Sequence, residues 1–342
     1  MRAVAGIDTH KDTLAIAVVD DAGREQADAM FDNNTAGHHA LESWLAAQPP
    51  VTRIGIEGSG GLGRAVALAL QHAGWDVCEV PPQLTARDRR HDTKAGKTDQ
   101  RDAVLIARIT LREETLPAIK PEGLGEDLAA LLAHRDHLVS ERTRTANRTH
   151  ALLSVVAPGY AARCRQLRTQ AHLRSAGDVV EDLEGVRVGL VRRNLERLHD
   201  LDIEIRVITR EVDELVTASG TSLTTVHGVG PLVAARILSL VGDPARYPTK
   251  HKFARANGTA PIPASSGRTQ RHRLNRGGNR QLNRAIYTVA LTQIRHYPPA
   301  QAYYARKLTE HKTKRDAMRC LKRRVSDAIY RQLRADARAL DA

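Results

Sequence analysis

The chain has 342 residues, of which 42% are hydrophobic, so it is long enough for two or three domains with buried cores and is not a disordered chain. Its formal net charge of +13 predicts a polyanionic partner, because Lys and Arg side chains that neutralise phosphates release condensed counterions. The three cysteines form no C-x-x-C pair, which indicates neither a disulfide framework nor a zinc site.

The positive charge is concentrated towards the carboxyl terminus. Residues 264–334 contain 18 Lys and Arg against three acidic residues, a local net charge of +15 that leaves −2 for the rest of the chain. The pattern of a membrane-surface helix is weak in this segment, so a nucleic acid is favoured as its partner. No window approaches the roughly 18 apolar residues of a membrane span, and charged residues from Asp8 onward interrupt any signal-peptide core. We therefore expect a soluble, cytoplasmic protein with no membrane partner.

The first third of the chain alternates short β-branched runs with helical patterns. Three successive strands are followed by helix, strand, helix and strand, which predicts an α/β domain with a mixed sheet. The predicted strands are Ala3–Asp8, Thr13–Val19, Glu25–Phe31, Val51–Glu57 and Trp75–Val80, and the predicted helices are Gly37–Gln48, Leu62–His72 and Asp99–Thr110.

Four acidic residues lie at the ends of these elements. Asp8 and Glu57 close two predicted strands, and Asp99 and Asp102 are three residues apart, so that both face one side of a helix. A single acid at such a position is often a turn residue or a favourable charge at a helix start. Those ordinary roles do not explain four acids in the order strand, strand, helix. The order favours a site for hard divalent cations such as Mg²⁺, which suggests cutting of nucleic acid.

From about Leu124 the sequence becomes charged and helical. One stretch alternates three- and four-residue hydrophobic steps like a coiled-coil seam, and a less regular arm precedes it. A break with basic residues through Arg174 separates the arms, which predicts two antiparallel helices with a basic tip. This hairpin either packs on its own chain or mediates dimerisation. The seam positions are Leu198, Leu201, Ile205, Ile208, Val212 and Leu215.

The last third begins with a glycine turn between helical patterns. Gly228-Val-Gly230, with Pro231 at the start of the second helix, matches a helix-hairpin-helix, in which glycines let the backbone approach a phosphate. An ordinary helical hairpin is the alternative. Helices are predicted from Gln281 to the end, and the last exposes Lys322, Arg323 and Arg324, which could bind DNA or RNA.

Several motifs together resemble one family. G-I-D-T-H-K, I-G-I-E-G-S-G and G-K-T-D-Q-R-D-A resemble the RuvC-like DEDD domain of the insertion-sequence IS110 family of transposases, relatives of the Piv and MooV invertases. The glycine turn, F-A-R-A-N-G-T-A-P and A-S-S-G-R followed by R-G-G-N-R-Q-L-N-R-A-I-Y resemble the carboxy-terminal transposase domain of that family. The resemblance covers nearly the whole chain in order.

The resemblance implies roles for particular residues. Asp8, Glu57, Asp99 and Asp102 would bind the metal, Mg²⁺ or Mn²⁺, and a serine before a glycine would be the nucleophile. That role falls on Ser266, with Ser265 left open because the sequence reads P-A-S-S-G. The nucleophile would cut and rejoin DNA through a phosphoserine link. The basic residues expected at phosphates, together with the two glycines of the turn, are Arg268, Arg271, Arg273 and Arg276.

The resemblance also implies partners and an organisation. The protein would act on element ends and target DNA, near the nucleoid, with a structured guide RNA from the element, as a homodimer that assembles to a tetramer. We expect a RuvC/RNase H-like α/β domain at 1–120, a helical coiled-coil arm at 121–219 and a mainly helical transposase domain at 220–342.

Other functions stay open from the residues. A Holliday-junction resolvase would use the same acids with water as nucleophile. A sugar kinase or actin-like ATPase also starts with G-I-D, but Thr9-His10-Lys11 replaces its second glycine. A binding protein with an inactive quartet is the remaining alternative.

Overall fold

The computed structural model describes residues 3–89, 98–119, 122–263, 272–273, 275 and 277–340. The chain divides into two compact units, residues 1–121 and 122–342. The predicted helical arm and the predicted carboxy-terminal domain both belong to the second unit, and their separation into two domains stays a prediction. Within the described residues, no helix has both the length and the hydropathy needed to cross a membrane.

The first unit is a five-stranded mixed sheet with helices. Its strands lie in the order β3-β2-β1-β4-β5; β2 pairs antiparallel with both β3 and β1, whereas β4 pairs parallel with both β1 and β5. This arrangement confirms the predicted α/β fold class. In chain order the elements are β1 (Ala3–Thr9), β2 (Thr13–Val19), β3 (Glu25–Asp32), α1 (Thr35–Ala46), β4 (Val51–Ile56), α2 (Arg64–His72), β5 (Val77–Glu79), α3 (Pro82–Arg89) and α4 (Asp99–Arg112).

Helices cover both faces of the central strands, which is why β1 and β2 are almost continuously apolar. On one face, Ile7 and Ile16 pack with Leu41 of α1 and Val66 of α2. On the other face the side chains are smaller, and Ala15 and Ala17 of β2 pack against the alanines of α4. The small residues on this second face let α4 approach the sheet closely.

Gly6 marks the closest approach between α4 and the sheet. A Cβ atom built on Gly6 would lie 2.2 Å from the backbone nitrogen of Ala107 and 2.3 Å from the carbonyl oxygen of Ala103. The backbone of α4 therefore occupies the space that any side chain at Gly6 would need. Because α4 begins with Asp99, this contact sets where its first turn lies relative to the end of β1.

The second unit is mainly helical. Its described elements are α5 (Leu124–Val156), α6 (Gln170–Asp178), α7 (Val186–Ala218), α8 (Pro231–Val241), α9 (Lys250–Ala256), β6 (Ile262–Pro263), β7 (His272–Arg273), α10 (Arg280–His296), α11 (Pro298–Thr309) and α12 (Lys314–Leu340). A single core joins the base of α5 and α7 to α8, α10 and α12, with Phe253 of α9 fully buried in it.

Helices α5 and α7 are antiparallel and form the arm. Arg142 of α5 donates to Asp202 of α7 at 2.5 Å and to the carbonyl oxygen of Leu167, which ties the distal connection to both helices. A separate core surrounds α6 at the distal end. In the predicted seam Leu198, Leu201 and Val212 are buried, whereas the other three positions are only partly buried. The coiled-coil packing therefore stays a prediction.

Two expectations in this unit need correction or remain open. The segment before the glycine turn is a short 3-10 helix, Ser222–Thr225, and α8 follows the turn, so the helix-hairpin-helix stays a prediction. Lys322 and Arg323 are partly buried and not exposed: Nζ of Lys322 donates to Asn283 of α10 at 2.5 Å, and Arg323 lies 3.1 Å from Asp327. Burial, with Arg319 nearby, lowers the pKa of Lys322.

Candidate metal and strand-exchange site

Asp8 and Glu57 lie side by side at the carboxyl ends of the adjacent parallel strands β1 and β4. In the parallel pair β1–β4, Ile7 faces Ile56, and the amide of Glu57 donates to the carbonyl oxygen of Ile7 at 3.2 Å. Both carboxylates line one open cleft of about 460 Å³. The glycine-rich connection that follows Glu57 forms another wall of this cleft, which leaves room for a ligand.

His10 links Asp8 to the start of α4. Its Nε2 lies 3.3 Å from Oδ2 of Asp8 and 3.1 Å from Oδ1 of Asp99. These three side chains each offer one ligand atom, all within 4.8 Å of one another. Adjacent ligands about 2.1 Å from an octahedral ion would be about 3.0 Å apart, which is close to both His10 distances. The trio could therefore hold a divalent cation.

The other two predicted acids take different positions. Asp102 is buried one turn further along α4, on the same side of the helix as Asp99. Glu57 accepts a hydrogen bond from the hydroxyl of Thr85 at 2.9 Å. The structure thus brings Asp8 to Asp99 through His10 and brings Asp8 and Glu57 to one cleft. Neither Glu57 nor Asp102 joins the compact trio in the described conformation.

Glu79 is a further acid in the cleft, and it orders the connection after Glu57. It ends β5, next to β4, with Ile56 opposite it in register. Its Oε2 accepts a hydrogen bond from the amide of Ser59 at 2.9 Å and another from the hydroxyl of Ser59. Glu79 therefore holds the chain two residues beyond Glu57.

Helix α3 connects the Glu57 side of the site to α4. It carries Thr85, and its Asp88 accepts a hydrogen bond from Arg112 of α4 at 2.7 Å. Burial opposes ionisation of Asp88, but hydrogen bonds from Arg112 and Arg87 outweigh it and lower the pKa of Asp88. The ion pair keeps α3 in place between Glu57 and α4.

The donor set suits a divalent metal ion. Carboxylate oxygens are the ligands that Mg²⁺ and Mn²⁺ take from proteins, and an imidazole nitrogen is acceptable to many transition metals. Asp8 and Asp102 are buried, with exposures of 8% and 6%, and Asp99 is partly buried. Burial of several carboxylates at one place is costly unless a cation or hydrogen bonds compensate, which supports the fit.

Three residues of this site were missed by sequence reasoning. His10 stands in the same G-I-D-T-H-K motif as Asp8, and its ability to bind metal could have been considered. Glu79 ends a strand as Glu57 does, so the same argument applied to it. Thr85 lies on α3, a helix that is not among the predicted elements, because no helix is predicted between the strand Trp75–Val80 and the helix Asp99–Thr110.

The predicted nucleophile lies outside the described residues. So do Ser265, Arg268, Arg271 and Arg276, whereas Arg273 falls in β7. On either side of this segment the chain is held together: β6 pairs with β7 in antiparallel register. A Cβ atom on Gly278 would lie 2.3 Å from the amide nitrogen of Gly258, so the backbones before and after the segment touch.

The glycine turn packs against α10. Gly228 has a φ of +87° and lies against Val289 and Thr292, and the side chain of Gln293 donates to the carbonyl oxygen of His227 at 2.8 Å. Gly230 is the exposed residue that precedes the first turn of α8. The contact with α10 thus holds the turn in place, and the exposed Gly230 leaves the first amides of α8 next to solvent.

Comparisons with known proteins identify the family to which the chain is similar. A family model described as a transposase, the DEDD transposases of IS110, matches residues 5–158, and the transposase IS116/IS110/IS902 family matches residues 220–305. The insertion element IS110 uncharacterized 43.6 kDa protein of Streptomyces coelicolor is 26% identical over 92% of this chain and 89% of its own length. The pilin gene-inverting protein of Moraxella bovis is 25% identical over 96% of each chain.

Among solved structures, RuvC of T. thermophilus in complex with a Holliday junction substrate is similar to 34% of this chain over 99% of its own length, with 18% identity and a TM-score of 0.27. That score does not establish a shared fold. The two family matches follow one another in order and span most of the chain, and the relatives cover nearly all of it. The chain belongs to the IS110 family of transposases.

Proposed function

We propose that the protein is a DNA recombinase that moves its element by cutting and rejoining strands, with Ser266 as nucleophile and a carboxylate metal site as its second catalytic component. The observation that carries this proposal is the contact of Asp8, His10 and Asp99, with Glu57 in the same cleft. This is a place where carboxylates from two strands and a helix meet, within a chain of the transposase family.

In this proposal Asp8, Glu57, Asp99 and Asp102 hold Mg²⁺ or Mn²⁺. When bound, the metal supplies Lewis-acid stabilisation of the charge that develops on phosphate oxygens. His10 lies between Asp8 and Asp99 and could be a further ligand, Thr85 orients Glu57, and Glu79 orders the connection that follows Glu57. These contacts keep the carboxylates in place before substrate arrives, which lowers the reorganisation needed during the reaction.

The serine step conserves the energy of the broken bond. The Oγ–H of Ser266 loses its proton to a base, Oγ bonds to phosphorus, and the bond from phosphorus to the bridging oxygen of the strand breaks as that oxygen gains a proton. The product is a phosphoserine link to one strand end. Attack by a hydroxyl of another strand on the same phosphorus reverses the step, frees the serine and completes strand exchange.

Basic groups of the second unit would hold the DNA backbone. We assign phosphate contacts to Arg268, Arg271, Arg273 and Arg276 and to the turn containing Gly228 and Gly230. Guanidinium groups pair with phosphate through charge-assisted hydrogen bonds, and amides at a helix start favour anions. Aromatic residues make up 3% of the chain, so base stacking contributes little and backbone contacts dominate.

Target choice is assigned to a structured RNA encoded by the element. Phosphate contacts position a protein on DNA without reading its sequence, so a protein of this composition needs another source of specificity. In guided systems the protein reads nucleic-acid shape while base pairing reads sequence. The net charge of +15 over residues 264–334 favours a polyanionic partner, and RNA and DNA both meet that requirement.

We further propose that the protein acts as a homodimer that assembles into a tetramer, because strand exchange needs two DNA ends held together. The arm offers a surface for this contact. Val139, Ile203 and Val207 are exposed, by 36%, 43% and 44%, on one side of α5 and α7. Exposed apolar side chains grouped in this way are typical of interaction sites.

The test is to trap the protein on supercoiled DNA that carries its own element ends and to identify the DNA-linked peptide by mass spectrometry. We expect DNA attached to the peptide that contains Ser266. Ser266→Ala should lose both the covalent complex and strand exchange while DNA binding remains. Ser265→Ala is the matched control and should retain the covalent complex.

Two outcomes would contradict the proposal. Full strand exchange by Ser266→Ala would exclude the serine mechanism. Metal-dependent cleavage that leaves hydrolysed ends and no protein-linked DNA would instead favour a resolvase in which water is the nucleophile.

A further inference from the structure

One side of the arm carries a group of exposed arginines. Nη2 of Arg197 on α7 lies 2.9 Å from Oε1 of Glu141 on α5. This ion pair crosses between the two helices on one solvent-exposed side of the arm. Arg144 and Arg148 follow Glu141 by three and seven residues, and Arg193 precedes Arg197 by four, so all lie on this side. We call Arg144, Arg148, Arg193 and Arg197 the basic face of the arm.

The charge of the basic face is only partly neutralised within the described chain. Arg197 is paired with Glu141, but Arg144, Arg148 and Arg193 are exposed and make no ion pair with any described residue. The sequence from Arg142 to Gly177 contains seven arginines and no acidic residue. Guanidinium groups spaced one helical turn apart repel one another, so the face is suited to an anionic partner.

The same side continues towards the distal end of the arm as an apolar surface. Val155 follows Arg148 by seven residues, and Leu190 and Val186 precede Arg193 by three and seven. Val155 is 54% exposed, Val186 is 83% exposed and Leu190 is 42% exposed. A patch of exposed aliphatic side chains bordered by charge is typical of a surface that is covered by a partner.

We propose that the basic face binds the sugar-phosphate backbone of a nucleic acid, as a contact additional to the carboxy-terminal basic segment. Arginine pairs with phosphate in a bidentate manner, and arginines supply all four cations of the face. Each phosphate neutralised in this way releases counterions, so the contact should add measurably to the salt dependence of binding.

A second copy of the chain is a poorer occupant for this face. A symmetric contact would place the four arginines of one copy against the same four of the other, and like charges in contact are unfavourable. The exposed apolar residues proposed for the dimer, Val139, Ile203 and Val207, belong to a different side, because Val139 lies two residues before Glu141 and so about 200° around α5. The two sides of the arm can therefore serve different partners.

The test compares the salt dependence of binding in two double variants, each lacking two positive charges. Arg148→Ala/Arg193→Ala removes unpaired charge from the basic face, and Arg206→Ala/Arg210→Ala removes exposed charge from elsewhere on α7. Binding is measured by fluorescence anisotropy with a duplex DNA and with a hairpin RNA, in EDTA. Because no strand exchange is needed, the result does not depend on the proposed recombinase chemistry.

We expect the slope of log K against log salt to become shallower by about 1.8 for the basic-face variant on duplex DNA, at about 0.9 for each lost phosphate contact, and to change little for the control. A change with RNA and not with DNA would assign the face to RNA backbone and also supports the proposal. Equal slopes for the wild type and the basic-face variant on both probes would overturn it. Equal changes of slope in the basic-face variant and the control would also overturn the proposal. If sedimentation velocity showed that the basic-face variant changes only the oligomeric state and not the salt dependence of binding, the proposal would likewise be wrong.

Discussion

The two units use close backbone contact for different purposes. In the first unit Gly6 lets α4 lie directly on β1, and this brings Asp99 to Asp8 and His10. In the second unit Gly258 and Gly278 touch, and this joins the chain on either side of the segment that contains Ser266. The first contact assembles charged groups at one point, whereas the second fixes the ends of a segment. The proposed metal ligands therefore depend on the first contact, and the segment of the proposed nucleophile depends on the second.

Gly6→Ala should have the largest effect of the substitutions that test these two contacts. In Gly6→Ala the new methyl group would meet the backbone of α4 at 2.2 Å, so α4 must move and carry Asp99 and Asp102 with it. We expect a loss of stability of about 1 to 3 kcal/mol and no measurable strand exchange. Chemical denaturation and Mn²⁺ titration measure the two effects. Gly177→Ala, where nothing lies within 4 Å, is the control. Unchanged Mn²⁺ affinity in Gly6→Ala would contradict this role for the contact.

Gly278→Ala tests the contact between Gly278 and Gly258 in the second unit. Its Cβ atom would lie 2.3 Å from the amide nitrogen of Gly258, which would separate the two ends of the serine segment. Because a misplacement of about 1 Å can cost about 100-fold in rate, we expect a loss of strand exchange of that order. Mn²⁺ affinity should be unchanged. If both variants lost metal binding to the same extent, the two contacts would not have separate purposes.

Glu79→Gln tests the support of the metal site in the first unit, and we expect it to lower Mn²⁺ affinity less than Gly6→Ala does. The amide side chain keeps the size of Glu79 but weakens its two hydrogen bonds from Ser59, which order the chain beyond Glu57. Changes in residues that support metal ligands typically reduce affinity by about 10-fold to 100-fold, and we expect the lower end of that range. Isothermal titration with Mn²⁺ provides the measurement. A Thr85→Val variant, which removes the hydrogen bond to Glu57, should show a similar loss.

The sequence predicted the parts of the first unit that depend on local pattern. Short apolar runs predicted the bounds of the strands to within one or two residues. The acids at the carboxyl ends of Ala3–Thr9 and Val51–Ile56, Asp8 and Glu57, do line one cleft. Contacts between side chains distant in sequence were not predicted. Nothing in the pattern around His10 shows that its ring bridges Asp8 and Asp99, because that depends on how closely α4 approaches the sheet.

Two errors in reading the sequence have clear physical causes. No helix is predicted between the strand Trp75–Val80 and the helix Asp99–Thr110, whereas proline suits the first turn of a helix, and α3 begins at Pro82. Lys322 was expected to be exposed because it lies on a basic helix, but α12 packs against α10 closely enough for the lysine to reach Asn283. Helical periodicity indicates which residues share a face, but it does not indicate how far a neighbouring helix covers the flank of that face.

The central claim is that carboxylates from β1 and α4 hold one divalent cation together. Electron paramagnetic resonance of free Mn²⁺, with the wild type, Asp8→Asn, Asp99→Asn and the exposed control Asp21→Asn, tests it most directly. We expect Asp8→Asn and Asp99→Asn each to lose the tightly bound ion, whereas Asp21→Asn should retain it. Retention of the tightly bound ion by both Asp8→Asn and Asp99→Asn would contradict the claim.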